Sequence, residues 1–378
     1  MSDLHIGLDL LFWRWDSGGP GRYAHELLRA LLAAEPDTRI SAWVGTGAPR
    51  ALRETDWGGD VRWIGVPVRS SGSPARVAYE LAALGLDARR RGVDVVHGLA
   101  YASPLAAPGV ARLVTILDLT WRHQPGAVTR PARCMFELLT WTGVRTADRV
   151  IAISQTAKAD LVRTLGVAPE RIDVTTLGVH GPVVTATAAH ALRSRLDLPA
   201  GAPVVLCVAQ LAANKNLEVL IRALALMPEA HVVICGRDAL HRAHLEELAR
   251  RLAVGDRLRI TGFVDEADLE GLYAAATCLV LPSVHEGFGL PVAEAMARGL
   301  PVACSRAPAL MEVAGGAALL FDPQDPADLA AQVGRLLREP ATRAELRADG
   351  LRRAASLTWG ETARTTLAAY RRALAERA

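Results

Sequence analysis

The sequence predicts an α/β protein built from two doubly wound, Rossmann-like domains. Its 378 residues are enough for two domains of ordinary size, and 51% of them are hydrophobic, which is enough to fill two cores. Short apolar strand patterns alternate with helical stretches, stop at a linker containing glycine and proline within residues 178–202, and start again at Pro203. We therefore place the first domain at residues 1–185 and the second at residues 186–359.

The composition excludes several classes of protein. The net charge of +3 is too small to indicate a nucleic-acid-binding protein. The N-terminus has neither the charged start nor the apolar run of a signal peptide, and no apolar stretch is long enough to span a bilayer. Five cysteines without a C-x-x-C pair are typical of reduced thiols in the cytosol. We expect a cytoplasmic protein, while a slight basic excess in the first half leaves an acidic partner or a membrane surface open.

The first domain begins with a strand predicted at residues 4–11 and a glycine-rich turn into a helix. Gly18 and Gly19 lie in this turn, although a plain tight turn would have the same composition. The G-x-G-x-x-G spacing of a dinucleotide-binding site is absent, and no acidic residue follows a second strand at the matching place. A nicotinamide-dependent dehydrogenase is therefore a poor interpretation.

Polar residues end the next two predicted strands of the first domain. The strands are expected at residues 94–98 and 112–119, which places His97 and Asp118 at the edge of the sheet where ligands bind. A histidine at a strand end is as often structural as functional, so His97 alone decides nothing.

A basic and aromatic helix is predicted between Val128 and Arg149. Such a helix is typical of a protein that lies on a membrane surface, but packing against its own domain is the more common arrangement. The following strand ends at Ser154, which we interpret as the N-cap of the next helix rather than as a catalytic residue.

The second domain begins with a strand at residues 203–210 and a loop that carries Lys215 to the start of a helix. A cation there is unfavourable to the helix dipole unless an anion is bound beside it. A diphosphate would supply that anion, so Lys215 is the candidate phosphate clamp. The alternative is a solvated lysine.

The most informative segment follows a buried strand predicted at residues 274–281. It reads His285-Glu286-Gly287-Phe288-Gly289-Leu290-Pro291, with Glu294 about one turn into the next helix. The two glycines let the backbone approach a ligand, and their N–H groups, with the helix N-terminus, suit a phosphate. Carboxylates on both sides would repel that phosphate unless they accept hydrogen bonds from sugar hydroxyls. The segment therefore predicts a ligand of the form sugar–phosphate–sugar, and two solvated acids are the alternative.

This segment resembles the signature of the retaining, metal-independent glycosyltransferases of family 4, which have the GT-B fold of two Rossmann-like domains facing across a cleft. The resemblance covers essentially the whole chain. It implies transfer of a hexose (mannose, glucose or a deoxyhexose) from a nucleotide diphosphate sugar to a hydroxyl of a glycan, glycolipid or natural-product acceptor. It also implies that the last helix, about residues 360–378, crosses back onto the first, acceptor-binding domain. No metal or other cofactor is implied, and the sequence has no Asp-x-Asp motif.

The resemblance assigns roles to individual residues. Glu286 would orient the donor sugar, and Glu294 would bind the ribose hydroxyls. The residues implied in donor binding are Gly18, Gly19, Gln210, Lys215, Phe263, Val264, His285, Gly287, Phe288, Gly289, Leu290 and Glu294. Phe263 and Val264 would contact the base, although Phe263 as a core residue is nearly as good an interpretation.

The chain departs from the family pattern at two places. Relatives commonly have Thr-x-His-Asp-Leu where this chain has Thr115-Ile116-Leu117-Asp118-Leu119, so Leu117 takes the place of the histidine. Asp118 remains a catalytic candidate, and His123 is a stand-in for the missing histidine. Relatives also often have an arginine where Gln210 stands. These departures motivate a second hypothesis, a weakened homologue that binds the nucleotide sugar and acts as partner of another transferase.

Overall fold

The structure, a computed structural model, describes residues 4–13, 18–46, 58–70, 73–237 and 241–377. The chain divides into two compact units. The N-terminal unit comprises Met1–Gly178 together with Trp359–Ala378, and the C-terminal unit comprises Val179–Thr358. The last segment of the chain thus belongs to the N-terminal unit.

The N-terminal unit is organised around a parallel sheet. Its strands within the described residues are β1 (His5–Leu10), β2 (Arg39–Val44), β3 (Val61–Gly65), β4 (Val95–Gly98), β5 (Ala111–Ile116), β6 (Arg149–Ala152) and β7 (Ile172–Val174). They pair in the order β3-β2-β1-β4-β5-β6-β7, and every pair is parallel. Parallel strands are covered on both faces, which agrees with the burial of every residue of β1 and β4.

Helices connect these strands. Those described are α1 (Gly18–Ala34), α2 (Pro74–Ala78), α3 (Leu84–Arg90), α4 (Thr120–His123), α5 (Arg130–Thr146), α6 (Gln155–Leu165) and, from the end of the chain, α15 (Trp359–Ala375). A π-helical segment, Tyr79–Ala83, joins α2 to α3. Ser154 caps α6 as expected, because its side chain accepts a hydrogen bond from the backbone N–H of Ala157.

The C-terminal unit repeats the architecture. Its strands within the described residues are β8 (Val204–Val208), β9 (His231–Cys235), β10 (Leu258–Gly262), β11 (Cys278–Leu281), β12 (Val302–Ser305) and β13 (Leu319–Phe321). They are all parallel and pair in the order β10-β9-β8-β11-β12-β13. The strand order therefore reverses between β8 and β11, which is where a doubly wound sheet binds ligands.

Eight described helices surround the second sheet. They are α7 (Ala189–Arg195), α8 (Leu217–Leu224), α9 (Arg242–Arg251), α10 (Glu266–Ala275), α11 (Leu290–Ala297), α12 (Pro308–Ala314), α13 (Pro326–Arg338) and α14 (Pro340–Ala355).

Both doubly wound sheets confirm the predicted α/β class. The sequence also predicts strands at residues 231–236, 258–264 and 317–323, which correspond to β9, β10 and β13. Strands β2, β3, β7 and β12 were not predicted; they are three to six residues long, and apolar runs this short do not by themselves distinguish strand from buried helix. Among the helices that the structure describes, none combines the length and apolarity needed to cross a membrane.

Candidate functional site

An ion pair joins the two loops at the switch point of the C-terminal sheet. Lys215 follows β8 in a 3₁₀ turn, Ala213–Lys215, and Glu286 lies in the loop after β11. Lys215 Nζ is 2.6 Å from Glu286 Oε1, and both side chains are half-buried. The sequence predicted that Lys215 binds phosphate and that Glu286 binds sugar; the structure brings the two side chains into direct contact.

Hydrogen bonds within the loop after β11 and between the two loops hold this pair in place. Ser283 Oγ donates to Glu286 Oε1 at 2.7 Å. The backbone N–H of Val284 donates to Asn214 O at 2.9 Å, and Asn214 Nδ2 donates to His285 O at 3.3 Å. Sequence analysis missed Ser283 and Asn214, although both are polar residues beside predicted site residues. Because Glu286 is oriented from two sides, its second carboxylate oxygen has a defined direction.

The backbone turns sharply into α11 at Gly289. Its φ is +105°, in the left-handed region that favours glycine, and a Cβ there would lie 2.4 Å from Leu310 Cδ2. Phe288 is buried beside it and anchors the turn, and Gly287 is buried as well. Leu290 and Pro291 then start α11; Pro291 has no backbone N–H and the Val292 N–H donates to Gly289 O at 3.0 Å, so the positive end of the helix dipole is its main contribution at this point. This is a favourable place for an anion.

Glu294 is buried in the second turn of α11, and its carboxylate is oriented by a tyrosine. Tyr273 Oη donates to Glu294 Oε2 at 2.9 Å. Arg298 lies over the Tyr273 ring, 4.8 Å from its centroid, and donates to Glu294 O at 3.0 Å. Burial lowers the pKa of Arg298, but its ion pair with Glu270 outweighs burial, so the net pKa is raised and the guanidinium stays charged. Neither Tyr273 nor Arg298 was predicted from the sequence.

Phe263 and Gln210 lie at the same carboxyl edge of the sheet. Phe263 follows β10, is 66% exposed, and has the Arg237 guanidinium 5.5 Å from its ring centroid. Its interpretation as a core residue is therefore wrong. Val264 beside it is half-buried, and Gln210 after β8 is exposed. An exposed aromatic ring with a cation above it offers a flat apolar surface to a planar ligand.

In the N-terminal unit, Asp118 follows β5 and contacts the loop after β4. Its Oδ1 accepts hydrogen bonds from the Thr120 backbone N–H at 2.8 Å and from Tyr101 Oη at 3.4 Å. Tyr101 has a φ of +68°, a strained backbone for a bulky residue, and strain of this kind concentrates at functional sites. Burial, followed by the charge of Asp118, raises the pKa of Tyr101 well above its usual range, so Tyr101 is a donor. Leu117 is buried and offers no polar group.

His123 is bound to a carboxylate that the sequence did not reveal. Its Nε2 lies 2.8 Å and 2.9 Å from the two oxygens of the buried Asp160 in α6. Burial raises the pKa of Asp160, but hydrogen bonds from Thr164 and His123 outweigh burial, so the net pKa is lowered. Asp160 therefore remains charged and orients the imidazole, as a carboxylate does in acid–base pairs.

His97 is structural. It is fully buried, and its Nδ1 and Nε2 lie 2.8 Å from Tyr370 Oη in α15 and from Thr115 Oγ1 in β5. Tyr23 Oη lies 2.9 Å from the same threonine oxygen. Burial lowers the pKa of His97 to about 3, so the ring is neutral and joins the last helix to the sheet.

Gly18 and Gly19 form the first turn of α1. Gly18 has a φ of +57°, and among the described residues, apart from chain neighbours and the backbone of α1 itself, no heavy atom lies within 4 Å of the positions where their Cβ atoms would be. Asp16 and Ser17, which precede this turn, lie outside the described residues.

Two family models match the chain. The model described as Glycosyltransferase Family 4 matches residues 17–180, and the model described as Glycosyl transferases group 1 matches residues 190–353. Together they match most of the chain.

Known proteins are similar to this chain over different extents. The D-inositol 3-phosphate glycosyltransferase of Streptosporangium roseum is 33% identical over 246 residues, which is 61% of this chain and 57% of that protein. The chain thus aligns with little more than half the length of this curated relative. Sucrose-phosphate synthase from Thermosynechococcus elongatus has a TM-score of 0.79 at 24% identity, covering 99% of this chain and 100% of that one. Anabaena Alr3699/HepE in complex with UDP and glucose has a TM-score of 0.73 at 20% identity, covering 96% and 99%.

Proposed function

The chain belongs to the group 1, family 4 glycosyltransferases and has their two-domain GT-B fold, and on that premise we propose that it is a retaining, metal-independent hexosyltransferase. The donor is a nucleotide diphosphate sugar, and the acceptor is a hydroxyl of a glycan, glycolipid or small molecule. Mannose, glucose and deoxyhexoses are the candidate sugars. The Lys215–Glu286 pair at the switch point of the C-terminal sheet carries this proposal.

The pair supports a donor site because one member suits a diphosphate and the other suits sugar hydroxyls. The Lys215 ammonium and the N-terminus of α11 are the positive groups, and charge that builds on a departing diphosphate is stabilised by fixed positive groups of this kind. Within the part of the chain that the structure describes, Lys215 and Ser283 both contact Glu286 Oε1, and we assign Oε2 to accept from the hexose. Glu294, held by Tyr273, has the corresponding role for the ribose.

The proposed reaction keeps the anomeric configuration. The bond between the anomeric carbon and the diphosphate oxygen breaks, the acceptor oxygen attacks from the same face, and a phosphate oxygen of the leaving group takes the acceptor proton. Asp118 and His123 are the candidates that orient the acceptor hydroxyl. Asp118 is held by the Thr120 N–H, and His123 is held by Asp160. Uracil is the base we favour, on the grounds that the similar Anabaena protein is described in complex with UDP and glucose.

A binding protein without transferase activity is the competing proposal. Its support is Leu117, a buried apolar residue where relatives commonly have histidine. Release of UDP from UDP-glucose in the presence of acceptor distinguishes the two, because a binding protein gives a thermal shift with nucleotide but no turnover.

The N-terminal unit has a surface suited to an anionic membrane. On α5, Trp141 is 52% exposed and Leu138 is 48% exposed. The Arg145 guanidinium lies 4.1 Å from the Trp141 ring centroid, and Arg130 and Arg133 are exposed on the same helix. Exposed aromatic and basic residues on one helix are the usual composition of helices that lie in the membrane interface. We include peripheral contact with anionic lipid in the proposed function.

A thermal-shift experiment tests the donor site. We expect the midpoint of unfolding to rise with one of UDP, GDP and dTDP, and to rise equally with EDTA and with magnesium. At a nucleotide concentration one hundred times Kd, linkage gives about 2.7 kcal/mol of added stability. A Glu294→Gln variant, which keeps the size of the side chain beside Tyr273, should show a smaller shift than the unmodified protein. No shift with any nucleotide would refute the donor site, and a shift abolished by EDTA would refute metal independence.

A further inference from the structure

An asparagine beside Lys215 ties three loops of the C-terminal sheet together. Asn216 directly follows the 3₁₀ turn Ala213–Lys215 and precedes α8. Its Nδ2 donates to Pro323 O at 2.7 Å and to Pro282 O at 3.3 Å. Pro282 follows β11 and Pro323 follows β13, so one side-chain amide connects the loop after β8 to the loops of two other strands.

The side chain of Asn216 does not do what is usual at its position. Asn216 is the N-cap of α8, and an asparagine there normally accepts a hydrogen bond from a backbone N–H of the first turn. Within the described part of the chain, its side chain makes no such bond. Both partners of its Nδ2 are carbonyl oxygens, which can only accept, so the NH₂ group faces the two loops. The amide therefore joins loops and does not cap the helix.

The backbone of Asn216 closes the turn that contains Lys215. Its φ of +52° and ψ of +41° lie in the left-handed region, which asparagine enters more readily than most residues with a side chain. The Asn216 N–H donates to Ala213 O at 3.1 Å, and Asn216 O accepts from the Val219 N–H at 3.2 Å. The residue thus ends the 3₁₀ turn and begins α8.

One of the loops that Asn216 contacts also holds Glu286. Ser283, next to Pro282, donates to Glu286 Oε1, and the Ser283 carbonyl accepts from Ser305 Oγ at the end of β12. Ser283 and Ser305 are both fully buried. The Pro282 carbonyl is therefore part of a segment that is fixed from the neighbouring strand.

The other loop, after β13, is fixed by its own turn. The Asp322 N–H donates to Asp328 Oδ2, and the Gln324 N–H donates to Asp322 Oδ1, each at 2.8 Å. These bonds lie on both sides of Pro323, so its carbonyl is a well-placed acceptor for Asn216.

Lys215 thus lies between two asparagines that both donate to the loop after β11. Asn214 Nδ2 donates to His285 O, and Asn216 Nδ2 donates to Pro282 O. The backbone of Lys215 is held from both sides, and its ammonium lies against the Glu286 carboxylate.

We propose that Asn216 is a positioning residue, which holds Lys215 in place for the departing diphosphate. The inference rests on the proposed donor site, and Asn216 acts through Lys215 without touching the ligand. A charge that is already in place stabilises the transition state without reorganisation, so a loosened Lys215 lowers the rate more than it weakens binding.

Asn216→Gly removes the amide and keeps the left-handed backbone, which glycine adopts without strain. We expect kcat to fall about 10-fold to 100-fold, measured with the radiolabelled nucleotide sugar whose nucleotide gives the thermal shift. Kd for that nucleotide should change by less than about 3-fold. Asn216→Asp carries the same prediction for kcat, because its carboxylate cannot donate to either carbonyl while aspartate remains a favoured N-cap.

The matched control is Asp197→Gly. Asp197 also has a left-handed backbone, with a φ of +49°, and lies in the same unit. Its side chain contacts Arg259 near the start of β10, whereas Asn216 follows the end of β8. The substitution should leave kcat and nucleotide Kd unchanged.

A double-mutant cycle separates positioning from general stability. In the Lys215→Met background, Asn216→Gly should lower kcat by less than about 2-fold, because the group that Asn216 positions is gone. A purely structural contribution would lower kcat by the same factor in both backgrounds. All four proteins are compared at one temperature, below the lowest of their unfolding midpoints.

Three results would overturn the role of Asn216. They are an unchanged kcat in both Asn216 variants, an equal loss from Asn216→Gly with and without Lys215, and an equal loss from Asp197→Gly. Failure of the proposed function appears instead in the unmodified protein, as the absence of a nucleotide thermal shift or of turnover. The transferase proposal and this inference would then both be wrong, so the two failures are distinguishable.

Discussion

The two sheets of this protein reverse their strand order in the same way, yet the groups at the two switch points have different chemistry. At the C-terminal switch point, Lys215 and Glu286 are half-buried, and a helix begins beside them. At the N-terminal switch point, Asp9, Arg76 and Glu80 are almost completely buried, and burial raises the pKa of both carboxyl groups. The same topology thus presents a cation and the positive end of a helix on one sheet and carboxyl groups on the other. The first set is accessible and suits phosphate, whereas the second set is closed off from solvent.

Removal of the cation at the C-terminal switch point should have the largest effect. Lys215→Met leaves the departing diphosphate without its fixed charge, and we expect kcat/KM for the donor to fall about 10²-fold to 10³-fold. Steady-state kinetics with UDP-glucose, or with the sugar of the nucleotide that gives the thermal shift, measures this effect.

The chain offers a matched control for this substitution, because Lys158 is the only other lysine among its 378 residues. Lys158 Nζ donates to the Ile172 carbonyl in the N-terminal unit, so Lys158→Met should leave donor kinetics unchanged. Equal losses in both variants would assign the effect to stability and remove Lys215 from the site.

An intermediate effect is expected from His97, which makes the N-terminal unit sensitive to acid. The pKa of His97 is about 3 in the folded protein, against 6.5 for the ordinary histidine. Below pH 6.5 the histidine is therefore protonated in the unfolded chain but stays neutral in the folded protein. Stability from this group is present above pH 6.5 and falls by about 1.4 kcal/mol for each pH unit below it, until the fold itself is protonated. Unfolding midpoints measured by circular dichroism between pH 7.5 and 4.5 report the slope.

His97→Asn should be less stable than the unmodified protein at pH 7.5, since it disturbs the bonds to Tyr370 and Thr115. The difference should shrink on acidification, because the variant no longer has the depressed group. His190→Asn, at an exposed histidine, serves as the control. A difference that is constant with pH would show that His97 is not the source of acid sensitivity.

The smallest effect is expected at the surface of α5. Trp141→Ala should weaken sedimentation with vesicles of phosphatidylglycerol by about 3-fold to 10-fold, because the interfacial ring and its cation contact are lost. Leu226→Ala removes an exposed apolar side chain from the C-terminal unit and is the control. Vesicle binding that is equal in both variants and in the unmodified protein would exclude α5 as the contact surface.

The sequence identified the C-terminal switch point far better than the N-terminal one. At the C-terminal switch point, Lys215, Glu286 and Gly289 each lie in a loop that leads into a helix. Such a loop can be recognised from a few consecutive residues, because glycine, a helix start and charged residues are close in the chain. Asp9 and Glu80 are separated by 71 positions in sequence numbering and meet only through folding. The one indication in the sequence was Asp9 within the apolar run of β1, because a carboxyl group in a buried strand is costly unless it has a partner.

By itself, the sequence determined the doubly wound α/β class and most of the strands of both sheets, and it predicted the place of the candidate donor site, since periodicity, caps and turn residues act over a few neighbours. Only the tertiary structure decided the partners: Tyr273 for Glu294, Asp160 for His123, and Tyr370 for His97. It also decided that Phe263 is exposed. Burial and hydrogen-bond geometry depend on residues distant in the chain, and they set which groups are charged, which are fixed and which are left to meet a ligand.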